Sequence, residues 1–126
     1  MTQTYTKNFE SIDIQHYLDL QDLVRPSTQL PNGAHAMHYR DRTELKKHLI
    51  CDMPIVGIFN DHANGDRKLI AAALVTNPDN HAAKHTEGYN IADPRKSFII
   101  HGVCVAPEYR KQGYTGQILK AAFDAA

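Results

Sequence analysis

The chain contains no apolar run approaching the roughly 18 residues that a membrane-spanning helix needs, so no membrane partner is expected. Its opening stretch, MTQTYTKNFE, lacks the apolar core of a secretory signal, which makes the cytoplasm the expected location. Net charge is missing too. Fourteen Lys and Arg balance 14 Asp and Glu, which removes any global electrostatic ground for a nucleic-acid partner. The 2 cysteines, Cys51 and Cys104, stand alone without CxxC spacing, and reduced structural thiols are expected over a disulfide. No internal repeat, low-complexity tract or linker interrupts the chain. What remains is 126 residues, 42% hydrophobic and 22% charged, proportions that suit one soluble domain built on a single core. The 8 histidines add positive charge only under mildly acidic conditions.

Hydrophobic spacing sets the expected elements. In Ser11–Val24 the residues Ile14, Tyr17, Leu18, Leu20 and Val24 recur at helical intervals, interrupted by polar Gln21. Ser11 or Asp13 is placed to cap this helix, and Pro26 to close it. A loop through Pro31-Asn32-Gly33 follows. A second helix is expected over Asp41–Cys51, capped by Asp41 or Thr43, with Leu45, Leu49 and Ile50 as its stripe. Two apolar runs, Pro54–Phe59 and Leu69–Val75, flank a polar stretch containing Asn64-Gly65, a hairpin signal that makes them antiparallel neighbours. Asn77–Lys96 reads as a long irregular loop. Ser97–Val105 reads as an apolar strand, central and buried on both faces. Thr115–Ala126 reads as a helix with Ile118, Leu119, Ala122 and Phe123 inward. A short first strand is expected near Thr4–Phe9.

The informative stretch runs from Ile99 to Leu119. A strand ends at Pro107, a polar loop carries Arg110 and Lys111, and Gly113 and Gly116 flank a helix start. Helix N-termini present unpaired amides with partial positive charge, and glycine lets a phosphate approach the backbone. The physical reading is a diphosphate cradle. Its competitor is a turn glycine serving geometry alone beside solvated cations. No Walker GxxxxGK[ST] is present, and Gly113 and Gly116 fit only part of GxGxxG.

The order V-x-V-x-P-x-x-R-x-x-G before an amphipathic helix is similar to the signature of GNAT N-acetyltransferases. Arg110, Gly113 and the preceding Val103-Cys104-Val105-Ala106-Pro107 carry the match. Thr115 stands where glycine or alanine is usual, with Gly116 directly after. The resemblance implies an α/β (α+β) fold: a GNAT-type mixed sheet with flanking helices, in which Ile99–Val105 is the central coenzyme-binding strand. It implies acetyl-CoA as cosubstrate and a primary amine, on a small molecule or a peptide or protein, as acceptor. Backbone around Val103, Cys104 and Val105 would pair with the pantetheine arm. Amides across Arg110, Lys111, Gln112, Gly113, Tyr114, Thr115 and Gly116 would hold the pyrophosphate, with Arg110 and Lys111 supplying charge. The acceptor site would draw on Leu23–His38 and Asn77–Lys96.

His101, on the same strand, is the catalytic candidate. Some members that acetylate arylalkylamines look similar, with histidine there acting through water; the competing reading is a packed, hydrogen-bonded histidine. The strand has no glutamate, which many members use. Glu108 reads as a solvated loop residue and Cys104 as a buried strand side chain. His81 and His85 lack a third ligand nearby, and Asp61, Asn64 and Asp66 lack the glutamate that would close a calcium loop, so no metal is expected.

The sequence ends within the apolar helix, before the further strands and helix of the family. The expectation is therefore one GNAT domain over residues 1–126 with its C-terminal part absent. Three explanations compete: a piece of a longer enzyme, a short member that binds acyl-CoA without catalysing, or a sheet completed by a second chain as a homodimer. The function alternatives follow suit: an N-acetyltransferase, or a non-catalytic acyl-CoA binding or interaction module.

Overall fold

The computed structural model describes residues 3–28, 31–32, 39–51, 53–61, 67–76 and 98–125. Strand β1 (Gln3–Asn8) leads through a 3-10 turn (Ser11–Asp13) into helix α1 (Ile14–Val24). A 3-10 turn (Arg25–Thr28) holds Pro26, and α2 (Arg42–Ile50), β2 (Ile55–Asp61), β3 (Arg67–Thr76) and β4 (Ile99–Val105) follow. A last 3-10 turn (Pro107–Tyr109) precedes α3 (Tyr114–Ala125). Among the described residues this is the element order read from hydrophobic spacing, including the short first strand.

The sheet has the order β1-β2-β3-β4, with every neighbouring pair antiparallel. The two apolar runs are adjacent as expected, with Ile55 opposite Leu74. The Asn64-Gly65 turn signal lies outside the described residues, as does Asn77–Lys96. One strand-level expectation is corrected. The strands buried along most of their length are β2, from Ile55 to Asn60, and β3, from Leu69 to Thr76, whereas Ile99–Gly102 of β4 are half-buried and Val103 is exposed. Among the described residues β4 closes the order, so one of its edges has no strand partner.

Period-two alternation along the strands divides the interior into two cores. On one face Phe9, Phe59, Ala72, Leu74 and Cys104 pack with Ile14, Tyr17 and Leu20 of α1 and Leu45 of α2. On the other, Val56, Ile58, Ala71, Ala73, Val75 and Val105 meet Ile118 and Ala122 of α3.

Three apolar residues expected inward point out instead: Ile50 (80% exposed), Leu119 (40%) and Phe123 (64%). Leu119 and Phe123 each follow a buried residue by one position, which rotates them about 100° off the inward stripe. In α2 the inward place beside Leu45 is taken by His48, whose Nε2 donates to the Val75 carbonyl at 2.9 Å. Asp41 is the cap of α2, accepting from the Glu44 amide at 2.8 Å. Gln21, the interruption in α1, is fully buried, and its partners lie at the candidate site.

Candidate functional site

The site begins with an irregularity in β4. Ala72 pairs with Cys104 and Leu74 with His101, so β3 advances by two residues while β4 advances by three. The extra residue makes a bulge, and bulges re-aim side chains. Gly102 sits there with φ +61°, a left-handed conformation that side-chain-bearing residues resist. A Cβ at this position would stand 2.9 Å from Leu74 Cδ1, 3.0 Å from the Tyr17 hydroxyl oxygen and 3.3 Å from Arg40 Cζ. The bulge thus seats the backbone tightly against α1 and the segment before α2. It also brings His101 and Cys104 to the same face of the sheet.

His101 is half-buried with both ring nitrogens engaged. Arg40 Nη2 lies 3.1 Å from Nδ1, and Thr76 Oγ1 is in hydrogen-bond contact with Nε2. Arginine stays protonated and has no acceptor, so Nδ1 receives this bond and Nε2 carries the proton that goes to Thr76. The Tyr17 hydroxyl donates to the Gly102 carbonyl at 3.3 Å. The His48 ring centroid is 6.0 Å from that of His101.

Burial governs the ionisable groups here. It pushes the Cys104 thiol up to about 12, with Arg40 opposing only in part. It pushes the Tyr17 phenol well above its ordinary value and holds His48 below the ordinary imidazole range. Cys104 is therefore a protonated thiol at neutral pH, unsuited to act as a nucleophile.

The second half of the site is the turn into α3. The Pro107–Tyr109 turn is pinned from below: Asn60 Nδ2 donates to the Tyr109 hydroxyl at 3.3 Å, and the Tyr109 and Tyr114 rings meet edge-to-face at 5.9 Å. Lys68 and Glu108 form an ion pair beside it. Arg110, Lys111, Gln112 and Gly113 are exposed, and Gln112 Nε2 donates to the Glu108 carbonyl at 3.2 Å. Lys111 and Gly113 both adopt positive φ, 64° and 86°. A Cβ at Gly113 or Gly116 would meet nothing within 4 Å. The first bond of the α3 ladder runs from the Gln117 amide to the Gly113 carbonyl, so the amides of Tyr114, Thr115 and Gly116 precede it.

The residues singled out from sequence thus fall into two groups. Arg110 through Gly116 form one turn, exposed apart from half-buried Tyr114, with open space at Gly113 and Gly116, which suits a diphosphate; Thr115 is exposed. The side chains of Cys104 and Val105 are buried on opposite faces, so those two offer a ligand only backbone, while Val103 lies exposed. Sequence reading missed Arg40, Thr76 and Gly102 as site residues. Gly102 alone carried a signal, as a glycine within an apolar strand. Among the described residues no cluster of three or more potential metal ligands occurs, and no helix is long and apolar enough to cross a membrane. His81, His85, Asn64 and Asp66 lie outside the described residues.

The sequence matches the Acetyltransferase (GNAT) family over residues 18–126, and the chain belongs to that family. Solved structures share the fold. The ribosomal-protein-S18-alanine N-acetyltransferase from Escherichia coli aligns with TM-score 0.58 at 15% identity, covering 97% of this chain and 58% of that one. The putative acetyltransferase yncA from Salmonella typhimurium, solved with acetyl-CoA, aligns with TM-score 0.60 at 11% identity, covering 98% and 62%. AAC(6')-Iy, in complex with the bisubstrate analog CoA-S-monomethyl-acetylneamine, aligns with TM-score 0.60 at 16% identity, covering 98% and 71%. The chain thus spans less than two thirds of the length of the first two. No curated protein matches the sequence significantly.

Proposed function

We propose that this chain serves N-acetyl transfer from acetyl-CoA to a primary amine on a small molecule, peptide or protein. The observation that carries the reading is the Arg110–Gly116 turn, where left-handed Gly113 opens the start of α3 to a diphosphate. Three amides ahead of the α3 ladder and the charges of Arg110 and Lys111 would hold that group. Backbone at Val103–Val105, on the edge of β4 that has no strand partner among the described residues, would align the pantetheine arm. When bound, acetyl-CoA supplies an acyl thioester whose carbonyl carbon the amine attacks and whose thiolate leaves. The protein's part is to align the two reactants and to take the amine's proton. His101 is the residue assigned to the proton, which it can take at Nδ1 only when Arg40 leaves that nitrogen. A solved relative with a bisubstrate analog supports an amine as the second substrate.

A second reading, acyl-CoA binding without catalysis, is favoured by one observation: both ring nitrogens of His101 are engaged by protein side chains. Thiol release across an amine panel separates the two. The transferase reading expects turnover with at least one amine, and a loss of about 100-fold or more in His101→Gln. Acetyl-CoA binding with no turnover on any amine would favour the binding module.

A further inference from the structure

Arg40 reaches the β4 bulge from the segment just before α2, and a buried glutamine holds its backbone there. Gln21 Nε2 donates to the Arg40 carbonyl at 2.9 Å, and the Arg40 amide donates to Gln21 Oε1 at 2.8 Å. With the backbone fixed at both polar groups, the side chain runs to the bulge. Its Cζ lies 3.3 Å from the place a Gly102 Cβ would occupy, and its Nη2 meets His101 Nδ1 at 3.1 Å. A guanidinium is a planar fork of donors that keeps its charge throughout the accessible pH range.

We propose that Arg40 is the positioning residue for His101: anchored by Gln21, it holds the imidazole as the neutral Nε2–H tautomer directed at Thr76. A doubly protonated ring would set an N–H against an N–H and one positive charge against another, so the docked guanidinium suppresses imidazolium formation. Among the described residues, Arg40 is the charged side chain in contact with the ring. From α1 the site receives Tyr17, from α2 His48, from β3 Thr76 and from β4 itself Cys104, and burial keeps Tyr17, His48 and Cys104 neutral. Glu44 of α2 contributes a negative charge felt at Tyr17.

The tautomer is a property of the chain itself; only its effect on rate rests on the acetyl-transfer reading. Imidazole nitrogen NMR on the intact chain tests it directly. The expected result is His101 as the Nε2–H tautomer in the wild type and in Arg40→Lys, which keeps a charged donor. Arg40→Met, which removes the donor to Nδ1, should lose the single tautomer. An Nδ1–H tautomer in the wild type, or an unchanged single Nε2–H tautomer in Arg40→Met, would overturn the proposal. If Arg40→Met fails to fold, the wild-type and Arg40→Lys tautomers decide. A failure of acetyl-CoA to bind would sink the function reading and leave this result standing.

Discussion

Gln21 and Arg40, nineteen positions apart in sequence, exchange two hydrogen bonds: the glutamine amide caps both the N–H and the carbonyl of the arginine backbone. A polar residue on the inward stripe of α1 thereby anchors the irregular segment that feeds the candidate site. Gln21→Leu keeps the bulk and strands both backbone groups. The expected loss is about 2 kcal/mol or more, since buried groups left unpaired lose their full solvation. Urea unfolding reads this as a lower midpoint at unchanged slope, and unchanged stability would remove the anchor.

Asp13 sets an acid limit on stability. It is 1% exposed, yet pairs with Lys7 at 2.9 Å and Arg67 at 3.2 Å and accepts the Glu10 amide at 2.9 Å. Burial alone would raise its carboxyl pKa, but the Glu10 amide, Lys7 and Arg67 together outweigh burial and hold it below the usual carboxylate value. The unfolded chain then binds the proton more readily than the folded one. Stability from Asp13 is complete above the unfolded value of about 3.9 and disappears as pH falls through the native value. Asp13→Asn should cost about 2 kcal/mol at neutral pH, because Lys7 and Arg67 are partly solvated. Its stability should also fall less steeply than the wild type's below about pH 4. Denaturant midpoints measured across pH check both.

Gly102 and Gly113 separate conformation from packing. Both have positive φ, but a Cβ meets three side chains at Gly102 and open space at Gly113. Gly113→Ala should cost about 1 kcal/mol, the penalty for a left-handed alanine. Gly102→Ala adds a clash with Leu74, Tyr17 and Arg40 and should cost about 3 kcal/mol. Equal melting temperatures for the two variants would contradict the tight seating of the bulge.

Lys111 is held at φ 64°, where a residue with a side chain is strained. Lys111→Gly should therefore stabilise the fold by about 1 kcal/mol. It should also weaken acetyl-CoA binding by roughly five-fold, about 1 kcal/mol, through the lost charge. The two measurements should move in opposite directions; a stabilised protein that binds as well as the wild type would take the lysine out of the cradle.

Most of the fold was legible because its elements are amphipathic. Ile14, Tyr17, Leu20 and Val24 in α1, and the apolar runs of β2 and β3, show their periods directly. What misled was the exact inward arc. Ile50, Leu119 and Phe123 look equivalent to their buried neighbours until the helix is set against the sheet, and His48 fills an inward place because two carbonyls at the end of the sheet receive it. The diphosphate turn was legible because its chemistry is local: Arg110, Lys111, Gly113 and Gly116 lie together in sequence. The His101 surroundings were not, since Gln21, Arg40, Thr76 and Gly102 meet only after three elements pack. Gln21 reads from sequence as a flaw in α1, and only tertiary contact makes it an anchor.

Arg110–Gly116 as a diphosphate cradle carries the proposed function, and calorimetric titration of acetyl-CoA into the wild type and Gly113→Val tests that role. The valine places a side chain in the open approach to the start of α3. The expected result is saturable binding by the wild type and an affinity at least roughly ten-fold weaker, about 1.4 kcal/mol, in a folded Gly113→Val. Absence of binding by the wild type, or equal affinity in a folded variant, would contradict it.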